Sequence, residues 1–428
     1  MALRHLAFIL ACLLVPGTGA SQTAAWLETE IAIEGLIEAR DFEAAAELGE
    51  TLLESVRNEF GASSEQLAEA HALLASVYRS DSDYVEAEFQ LLRAIEIREG
   101  NEGPLSTRLI EPLVTLGETY HDAGSYPLAL ASYEEARTIG RRAFGLLNLD
   151  QIPILDKMTA SALAMRDFEE ARALQREAMT VAQRFHGDAS VEYLDAQYRY
   201  ARWLVDNYRL DDARRAYFAI DRDIGDRFDD DPRLRVRHLR TTSADFRNVG
   251  RPFYGTDPSD LNRALKIVDD LEEPDPLLRA EVLRDIGDWN VAFQASRDLT
   301  EPYIEAWEIL GQIENGEDLR RQWFSGLVMV RSAPFNTRIL SGDENAPRGR
   351  IELAFTIDDE GRPSSISVVS SDPPGLFDSA AIQQVAASRF RPRIVGGRVV
   401  ASTGRVGYDF RYDPRYDERF RSAEASGD

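Results

Sequence analysis

A fixed spacing of 42 residues runs through the first half of the chain and constrains its fold more than any other feature. An aromatic or leucine opens each copy, and an alanine follows three residues later, at Phe42, Tyr84, Tyr126, Phe168 and Leu210. A second series keeps the same spacing in another phase and consists of glycines, namely Gly61, Gly103, Gly145 and Gly187. A period of this length indicates one supersecondary unit that stacks on copies of itself.

Each copy contains two helical patterns separated by a short polar turn. In one copy, residues 67–78 carry apolar side chains at helical spacing, a turn follows at 80–83, and residues 84–97 form a second helical pattern. The alanines allow two antiparallel helices to approach closely, because an alanine presents nothing beyond its Cβ atom. Each period therefore predicts a helix pair.

This unit resembles the tetratricopeptide repeat, in a form longer than the common one of about 34 residues. The resemblance covers residues 24–227 and implies an α-solenoid with a concave face that binds a peptide or protein. It places candidate partner-binding residues on the first helices, at Arg79, Glu118, His121, Tyr198, Arg202 and Asp206. The alternative for each of them is a residue that packs or is solvated without a ligand.

Residues 228–324 are less regular, and the 42-residue spacing is not readable beyond about Arg227. Prolines and acidic residues separate four helical patterns, which we assign to 234–249, 260–271, 276–299 and 302–313. We interpret this region as degenerate helical hairpins that continue or cap the repeats.

Composition argues against several classes of function. The formal net charge is -25, whereas a nucleic-acid-binding face is basic. The remaining histidines after His5 do not pair at metal-ligand spacing, and Cys12 is the only cysteine. No phosphate-binding loop, nucleophile elbow or zinc-protease motif is present. We therefore predict a protein that is not an enzyme and has neither a cofactor nor a metal site.

The first 20 residues have the pattern of a secretion signal. Arg4 and His5 precede an apolar run at 6–15, and small residues follow up to Ala20. The pattern predicts cleavage between Ala20 and Ser21, a periplasmic location and no transmembrane span in the mature form. A lipoprotein signal that ends at Cys12 is the alternative.

Near Phe324 the pattern changes from helical to alternating. Strand patterns at 327–330, 351–357 and 365–370 precede a helical pattern at 376–388, and a last strand pattern covers 403–412. This order predicts a small α+β domain at 325–412, with an antiparallel sheet and one helix, and a polar tail at 413–428. The whole chain is thus mainly α.

Five segments of this domain resemble the TonB carboxyl-terminal domain, in the same order as in that family: 349–361, 368–371, 377–382, 389–392 and 396–400. TonB couples a motor in the inner membrane to outer-membrane transporters, and its domain adds an extended segment of the transporter to a sheet edge. The resemblance places that edge at the last strand, with Gly404, Arg405, Val406, Gly407, Tyr408, Asp409 and Phe410.

Within the Arg389–Pro392 segment, we expect Phe390 to fill the core of the domain and Pro392 to end the helix. The arginines of this segment either have a structural role or meet an acidic partner or the carboxyl end of a helix.

The chain departs from TonB because its leader has the pattern of a cleavable signal and helical repeats replace a proline-rich spacer. We therefore favour a non-enzymatic periplasmic adaptor that binds envelope proteins, with an outer-membrane transporter as a candidate partner. The alternatives are a TonB-type energy transducer anchored by an uncleaved leader, and an envelope enzyme with a scattered site.

Overall fold

The computed structural model describes residues 19–250, 258–333 and 347–412, with side chains from Trp26 onward. The predicted signal lies outside these residues except for Gly19 and Ala20, and the polar tail lies entirely outside them. The chain divides into two compact units, residues 1–196 and 197–428. None of the described helices is both long and apolar enough to cross a membrane.

The first unit consists of consecutive helices. They are α1 (Gly19–Glu38), α2 (Phe42–Phe60), α3 (Glu65–Ser80), α4 (Tyr84–Glu102), α5 (Ile110–Asp122), α6 (Tyr126–Phe144), α7 (Gln151–Ala164), α8 (Phe168–His186) and the start of α9 (Val191–Asp206). A short 3-10 helix, Thr107–Leu109, precedes α5.

The second unit begins within α9 and contains more helices and all the described strands. The helices are α10 (Leu210–Arg227), α11 (Pro232–Asn248), α12 (Ser259–Asp269), α13 (Pro276–Phe293), α14 (Glu301–Leu310), α15 (Gly316–Phe324) and α16 (Asp378–Ala387). The strands are β1 (Met329–Arg331), β2 (Arg348–Ile357), β3 (Pro363–Asp372), β4 (Arg389–Phe390), β5 (Arg393–Val395), β6 (Arg398–Val400) and β7 (Ser402–Arg411).

The 42-residue spacing sets where helices begin and end in the first unit. The side chains of Asp41, Asp83 and Asp167 each accept a hydrogen bond from a backbone N–H in the first turn of the helix that follows. Such caps satisfy donors that have no partner inside the helix. The periodic glycines follow the second helices at φ between +86° and +94°, a region that glycine enters without steric cost.

The period continues beyond the point where the sequence pattern becomes unreadable. Tyr208 and Gly250, 42 residues apart, both have positive φ after a first helix, and Gln294 repeats this 44 residues later. In both units a helical glycine also packs against a tyrosine of the next helix, Gly117 against Tyr133 and Gly287 against Tyr303. Helices α11 to α14 are therefore two further pairs whose connections differ in length.

Two predictions in this region need correction. The helix predicted at 276–299 ends at Phe293, because Gln294 adopts the left-handed conformation that stops it. Helix α15 was not predicted; its nine residues are too few to show a clear helical period.

The carboxyl-terminal domain has a three-stranded antiparallel sheet in the order β3-β2-β7, and α16 packs on β3 and β2. Its core contains Ile351, Leu353, Phe355, Phe377 and Phe390, all at most 3% exposed. Two further pairs, β1 with β4 and β5 with β6, are antiparallel. The predicted fold class is confirmed: the chain is mainly α, with helix pairs of the tetratricopeptide type followed by a small α+β domain.

The smaller strand pairs join this domain to the helices of the same unit. Val330 of β1 and Ile394 of β5 lie in one hydrophobic cluster with Tyr303 and Leu310 of α14 and Trp323 of α15. The apolar side of the last helix pair is therefore covered by strands, where another helix pair would otherwise continue the stack.

Candidate partner-binding surfaces

Strand β7 forms one edge of the sheet and is regular along its whole length. It pairs with β2 through ten consecutive residue pairs, from Arg348 with Arg411 to Ile357 with Ser402, without a register shift. In the described part of the chain, no strand pairs with the other side of β7. Its outward N–H and C=O groups therefore form a template on which an extended segment can pair.

The seven residues predicted for the edge all lie in β7 and alternate between its two faces. Gly404 and Phe410 are buried, and Val406 and Tyr408 are partly buried against the core of the domain. Arg405, Gly407 and Asp409 are exposed on the opposite face. A strand added to β7 would therefore meet an apolar row on one face and a polar row on the other.

The opposite edge, β3, is irregular. Its register with β2 shifts twice, between Glu352 and Leu353 and between Ala354 and Thr356. Ser365 lies at the second shift with a φ of +51°. Bulges bend an edge strand and interrupt its row of pairing groups, so the geometry favours β7 over β3 for strand addition.

The domain is held on its helices by a buried carboxylate. Nε and one terminal nitrogen of Arg391 each donate to an oxygen of Asp288 at 2.8 Å. Arg247 donates to the same carboxylate at 3.0 Å, and the Tyr303 hydroxyl donates at 2.8 Å. Burial alone would raise the pKa of Asp288, but Arg391 and then Arg247 outweigh it and lower the pKa to about 2. Asp288 is therefore a paired anion in the folded protein.

The ion pair between Arg391 and Asp288 shows which of the roles considered in the sequence analysis Arg391 has. The acidic partner of Arg391 is Asp288 of the same chain, and another of its terminal nitrogens donates to the Trp323 carbonyl at 2.9 Å. Phe390 is fully buried, as expected. Pro392 does not end the helix, because α16 already stops at Ala387 and the chain is extended from Arg389.

Three candidate residues in the first unit contact neighbouring first helices. Arg79 on α3 donates to Glu118 at 2.7 Å and to Asp122 at 2.8 Å, both on α5. Lys157 on α7 forms an ion pair with the same Glu118. His121 Nδ1 lies 2.8 Å from the Ser161 hydroxyl. Arg79 and Glu118 are thus brought together, and all three residues have partners within the chain.

The candidates in the second unit differ in accessibility. Tyr198 is 4% exposed, and its hydroxyl lies 3.3 Å from His238 Nδ1, so its side chain packs inside the unit. The Arg202 side chain is 55% exposed and contacts Asp245 at 3.0 Å. Burial and the nearby Asp245 raise the pKa of Asp206. Arg202 and Asp206 therefore remain candidates for contact with a partner, whereas Tyr198 does not.

Sequence reasoning missed the acidic partners of these arginines. The sequence separation from arginine to acid is 43 for Arg79–Asp122 and Arg202–Asp245, and 41 for Arg247–Asp288. A search for opposite charges about one period apart would have found them. Among the described residues, no group of three or more His, Cys, Asp or Glu side chains is arranged to hold a metal.

Comparisons with known proteins agree with the description of the carboxyl-terminal domain. Residues 343–412 match the family model described as Gram-negative bacterial TonB protein C-terminal. The protein TonB of Pseudomonas aeruginosa is 37% identical over 67 residues, which are 16% of this chain and 20% of that protein. The match therefore spans about a fifth of the length of this relative.

Solved structures of repeat proteins are similar to the helical part at low identity. A putative kinesin light chain with nearly identical TPR-like repeats from Podosopora anserina is 14% identical, with a TM-score of 0.39, over 46% of this chain and 93% of that chain. A tetratricopeptide repeat protein from Parabacteroides merdae is 12% identical, with a TM-score of 0.31, over 70% of this chain and 98% of that chain. By its own helix pairs and by the family match at residues 343–412, this chain combines tetratricopeptide-type helix pairs with a TonB-like carboxyl-terminal domain.

Proposed function

We propose that this protein is a non-enzymatic adaptor of the periplasm. It binds an extended segment of an envelope protein at the free edge of β7, and its helix pairs bind a second protein. The observation that carries the proposal is the regular, uninterrupted ladder of β7 at a sheet edge. The similarity to the protein TonB of Pseudomonas aeruginosa supports it, and an outer-membrane transporter is the partner that we propose for this edge.

The contact between Asp288 and Arg391 gives the edge a fixed support. A segment that pairs with β7 is connected to α13 through β2, the packed core of the domain and the contact between Arg391 and Asp288. In the adaptor that we propose, the bound segment is therefore held in a defined position on the second unit. A proline-rich spacer, by contrast, would leave a bound partner on a long, semi-rigid tether.

Each unit has its own candidate surface on its first helices. In the first unit it consists of Arg79, Glu118 and His121, which are charged or polar and partly exposed. In the second unit it consists of Arg202 and Asp206, which are exposed. The ion pairs of Glu118 with Arg79 and Lys157 are partly exposed, so the cost of exchanging them for contacts with a partner is small. We propose that a peptide or protein binds here by replacing some of these pairs.

Crosslinking in living cells tests the edge. A photo-reactive residue at Arg405, on β7, is expected to capture a specific envelope protein, whereas the same residue at Ser367, on β3, is not. The two positions are exposed on opposite edge strands of one sheet. Capture from Ser367 alone, or the same weak pattern from both positions, would contradict the assignment of β7.

A substitution that blocks strand pairing at β7 provides a second test of the edge. Val406→Lys places a charge on the partly buried face of β7, a device by which natural edge strands resist pairing. We expect it to abolish capture from a probe at Arg405, while the unfolding temperature shows that the unit remains folded.

Sequencing the amino terminus of the purified protein then separates the adaptor, which starts near Ser21, from an anchored energy transducer, which retains its leader.

A further inference from the structure

Helix α4 of the first unit carries a row of large apolar side chains on its solvent-facing side. Val85, Phe89 and Leu92 are 78%, 54% and 45% exposed. Residues that are three and four positions apart lie above one another on a helix, so the three side chains form one continuous row. Single exposed apolar residues are ordinary, whereas a contiguous apolar patch marks a contact surface.

The 42-residue spacing shows that the fold of the repeat does not require this row. The equivalent positions are Glu43, Glu47 and Glu50 in α2, Pro127, Ala131 and Glu134 in α6, and Glu169, Ala173 and Arg176 in α8. Among these four helices, only α4 has a large apolar side chain at all three positions. The other helix pairs form with charged or small residues there, so the apolar row is a feature of α4 alone.

An acidic row on α2 runs beside the apolar row of α4. It consists of the exposed residues Glu43, Glu47, Glu50 and Glu54. Val56 of α2 lies in one hydrophobic cluster with Ala94 and Ile97 of α4, so the two helices are packed neighbours. Because the axes of packed helices are about 8–10 Å apart, both rows are within reach of a single element with the width of a helix.

The chemistry of the two rows indicates what kind of element fits them. The surface consists of helix side chains and offers no backbone groups for pairing. An extended segment would bring its own N–H and C=O groups against apolar side chains without partners, whereas a helix satisfies these groups internally. The acidic row favours basic residues beside the apolar stripe of that helix. A second copy of this chain would instead add another net charge of -25, which repels.

We propose that the outer face of α4 binds an amphipathic helix of another protein. Its apolar stripe contacts Val85, Phe89 and Leu92, and lysine or arginine on one flank faces the acidic row of α2. This inference goes beyond the proposed function, because the site lies on second helices and involves neither β7 nor the candidates on the first helices.

Synthetic helical peptides of about 20 residues, long enough to form a helix in solution, test both features of the site. The first peptide has a leucine stripe flanked by lysines, the second has glutamates in place of the lysines, and the third has glutamines in place of the leucines. We expect the leucine–lysine peptide to bind the full chain at least about tenfold more tightly than either of the others, because only this peptide matches both rows. Fluorescence anisotropy of labelled peptides measures the affinities.

Matched variants locate the bound peptide. Phe89→Glu places in the apolar row the residue that α2 has at the equivalent position, and it is expected to weaken binding of the leucine–lysine peptide at least about tenfold. Ala131→Glu makes the same change at the equivalent exposed position of α6 and is expected to leave binding unchanged. Glu43→Gln/Glu47→Gln is expected to reduce the preference for lysine over glutamate. The calorimetric transition of the first unit shows that each variant is folded.

Three results would overturn the inference. The first is the absence of binding by all three peptides. The second is binding that Phe89→Glu and Ala131→Glu weaken equally or not at all, because the peptide would then lie elsewhere on the acidic surface. The third is a concentration-dependent dimer that Phe89→Glu abolishes in sedimentation experiments, which would assign the apolar row to a second copy of the chain. Crosslinking from β7 tests the proposed function separately.

Discussion

Two acidic residues on first helices, Glu118 in the first unit and Asp288 in the second, have the same kinds of partner in different surroundings. Glu118 is held by Arg79 and Lys157, and its side chain is 22% exposed. Asp288 is held by Arg247 and Arg391, and its side chain is 4% exposed. The ion pairs of Glu118 connect neighbouring repeats near the surface. The ion pairs of Asp288 are their buried equivalent, at the place where the helices meet the carboxyl-terminal domain.

The difference in burial changes what each pair contributes. An exposed pair is screened by solvent and adds little to stability. A buried pair is costly to break, because the charge that is left behind has lost both its partner and its water. The first arrangement therefore tolerates exchange with a ligand, whereas the second fixes one domain on its support.

The largest expected effect is that of Asp288→Ala. Removing this carboxylate leaves Arg391 and Arg247 buried without their anion, so we expect the second unit to lose about 3–5 kcal/mol of unfolding free energy. Hydrogen exchange of the β7 amides measures this loss of unfolding free energy, and the amides of the first unit serve as the internal reference. Arg391→Leu is the matched variant and is expected to cost less, because Asp288 keeps Arg247 and Tyr303. Unchanged protection in both variants would show that the carboxylate does not hold the domain.

Lowering the pH tests the contribution of the Asp288 ion pairs to stability. The pKa of Asp288 is lowered from 3.8 to about 2 in the folded protein, so the folded state binds this proton less readily than the unfolded state. The resulting stability is fully present above about pH 4 and is lost as the pH falls toward 2. We expect Asp288→Asn to be less stable than the wild type at neutral pH and the difference to narrow over this range. A constant difference from pH 5 to pH 2 would argue against the ion pair.

A smaller effect is expected from the glycines that pack against tyrosines. A Cβ atom at Gly287 or Gly117 would lie closer than 3.0 Å to the ring of Tyr303 or Tyr133. Because each ring is buried, Gly287→Ala and Gly117→Ala are each expected to cost about 1–3 kcal/mol. Calorimetric scans measure both, and each loss should appear in the transition of its own unit.

Gly140→Ala provides the control for these substitutions. Gly140 lies inside α6 and a Cβ atom there would meet nothing closer than 3.8 Å. The substitution is therefore expected to stabilise by up to about 1 kcal/mol through helix propensity. Stabilisation by all three alanines would mean that the tyrosines are not packed against the glycines as described.

The sequence predicted the repeats and the strands better than it predicted the sites. Helix starts were readable because Phe42, Tyr84 and Tyr126 recur at one spacing, each with an alanine three residues later. Strand β2 was readable from its strict alternation. The continuation of the repeats past Arg227 could not be read from the sequence, because the connections between helices change in length and disturb the 42-residue spacing. The left-handed turn at Gly250 nevertheless persists. Backbone geometry shows such a turn where the sequence shows only a glycine.

The candidate sites depended on contacts that no local pattern contains. Arg391 lies 103 residues from Asp288, and nothing around either residue indicates the other. Tyr198 occupied a position that the repeat resemblance assigned to the groove, yet it is buried beside His238. The β7 edge could be predicted because strand order follows from the family resemblance. The register shifts that make β3 the less regular edge could not, because alternation alone does not specify them.

The smallest expected effect belongs to Glu118→Ala, and it is the most direct way to break the comparison with Asp288. Arg79 keeps its contact with Asp122 in this variant, and Lys157 is 37% exposed and can be hydrated. We therefore expect a loss of at most about 1 kcal/mol, measured in the calorimetric transition of the first unit. A loss as large as that of Asp288→Ala would mean that the first-helix ion pairs hold the stack together. They would then not be free to exchange with a partner, and the proposed second binding surface would have to lie elsewhere on the helix pairs.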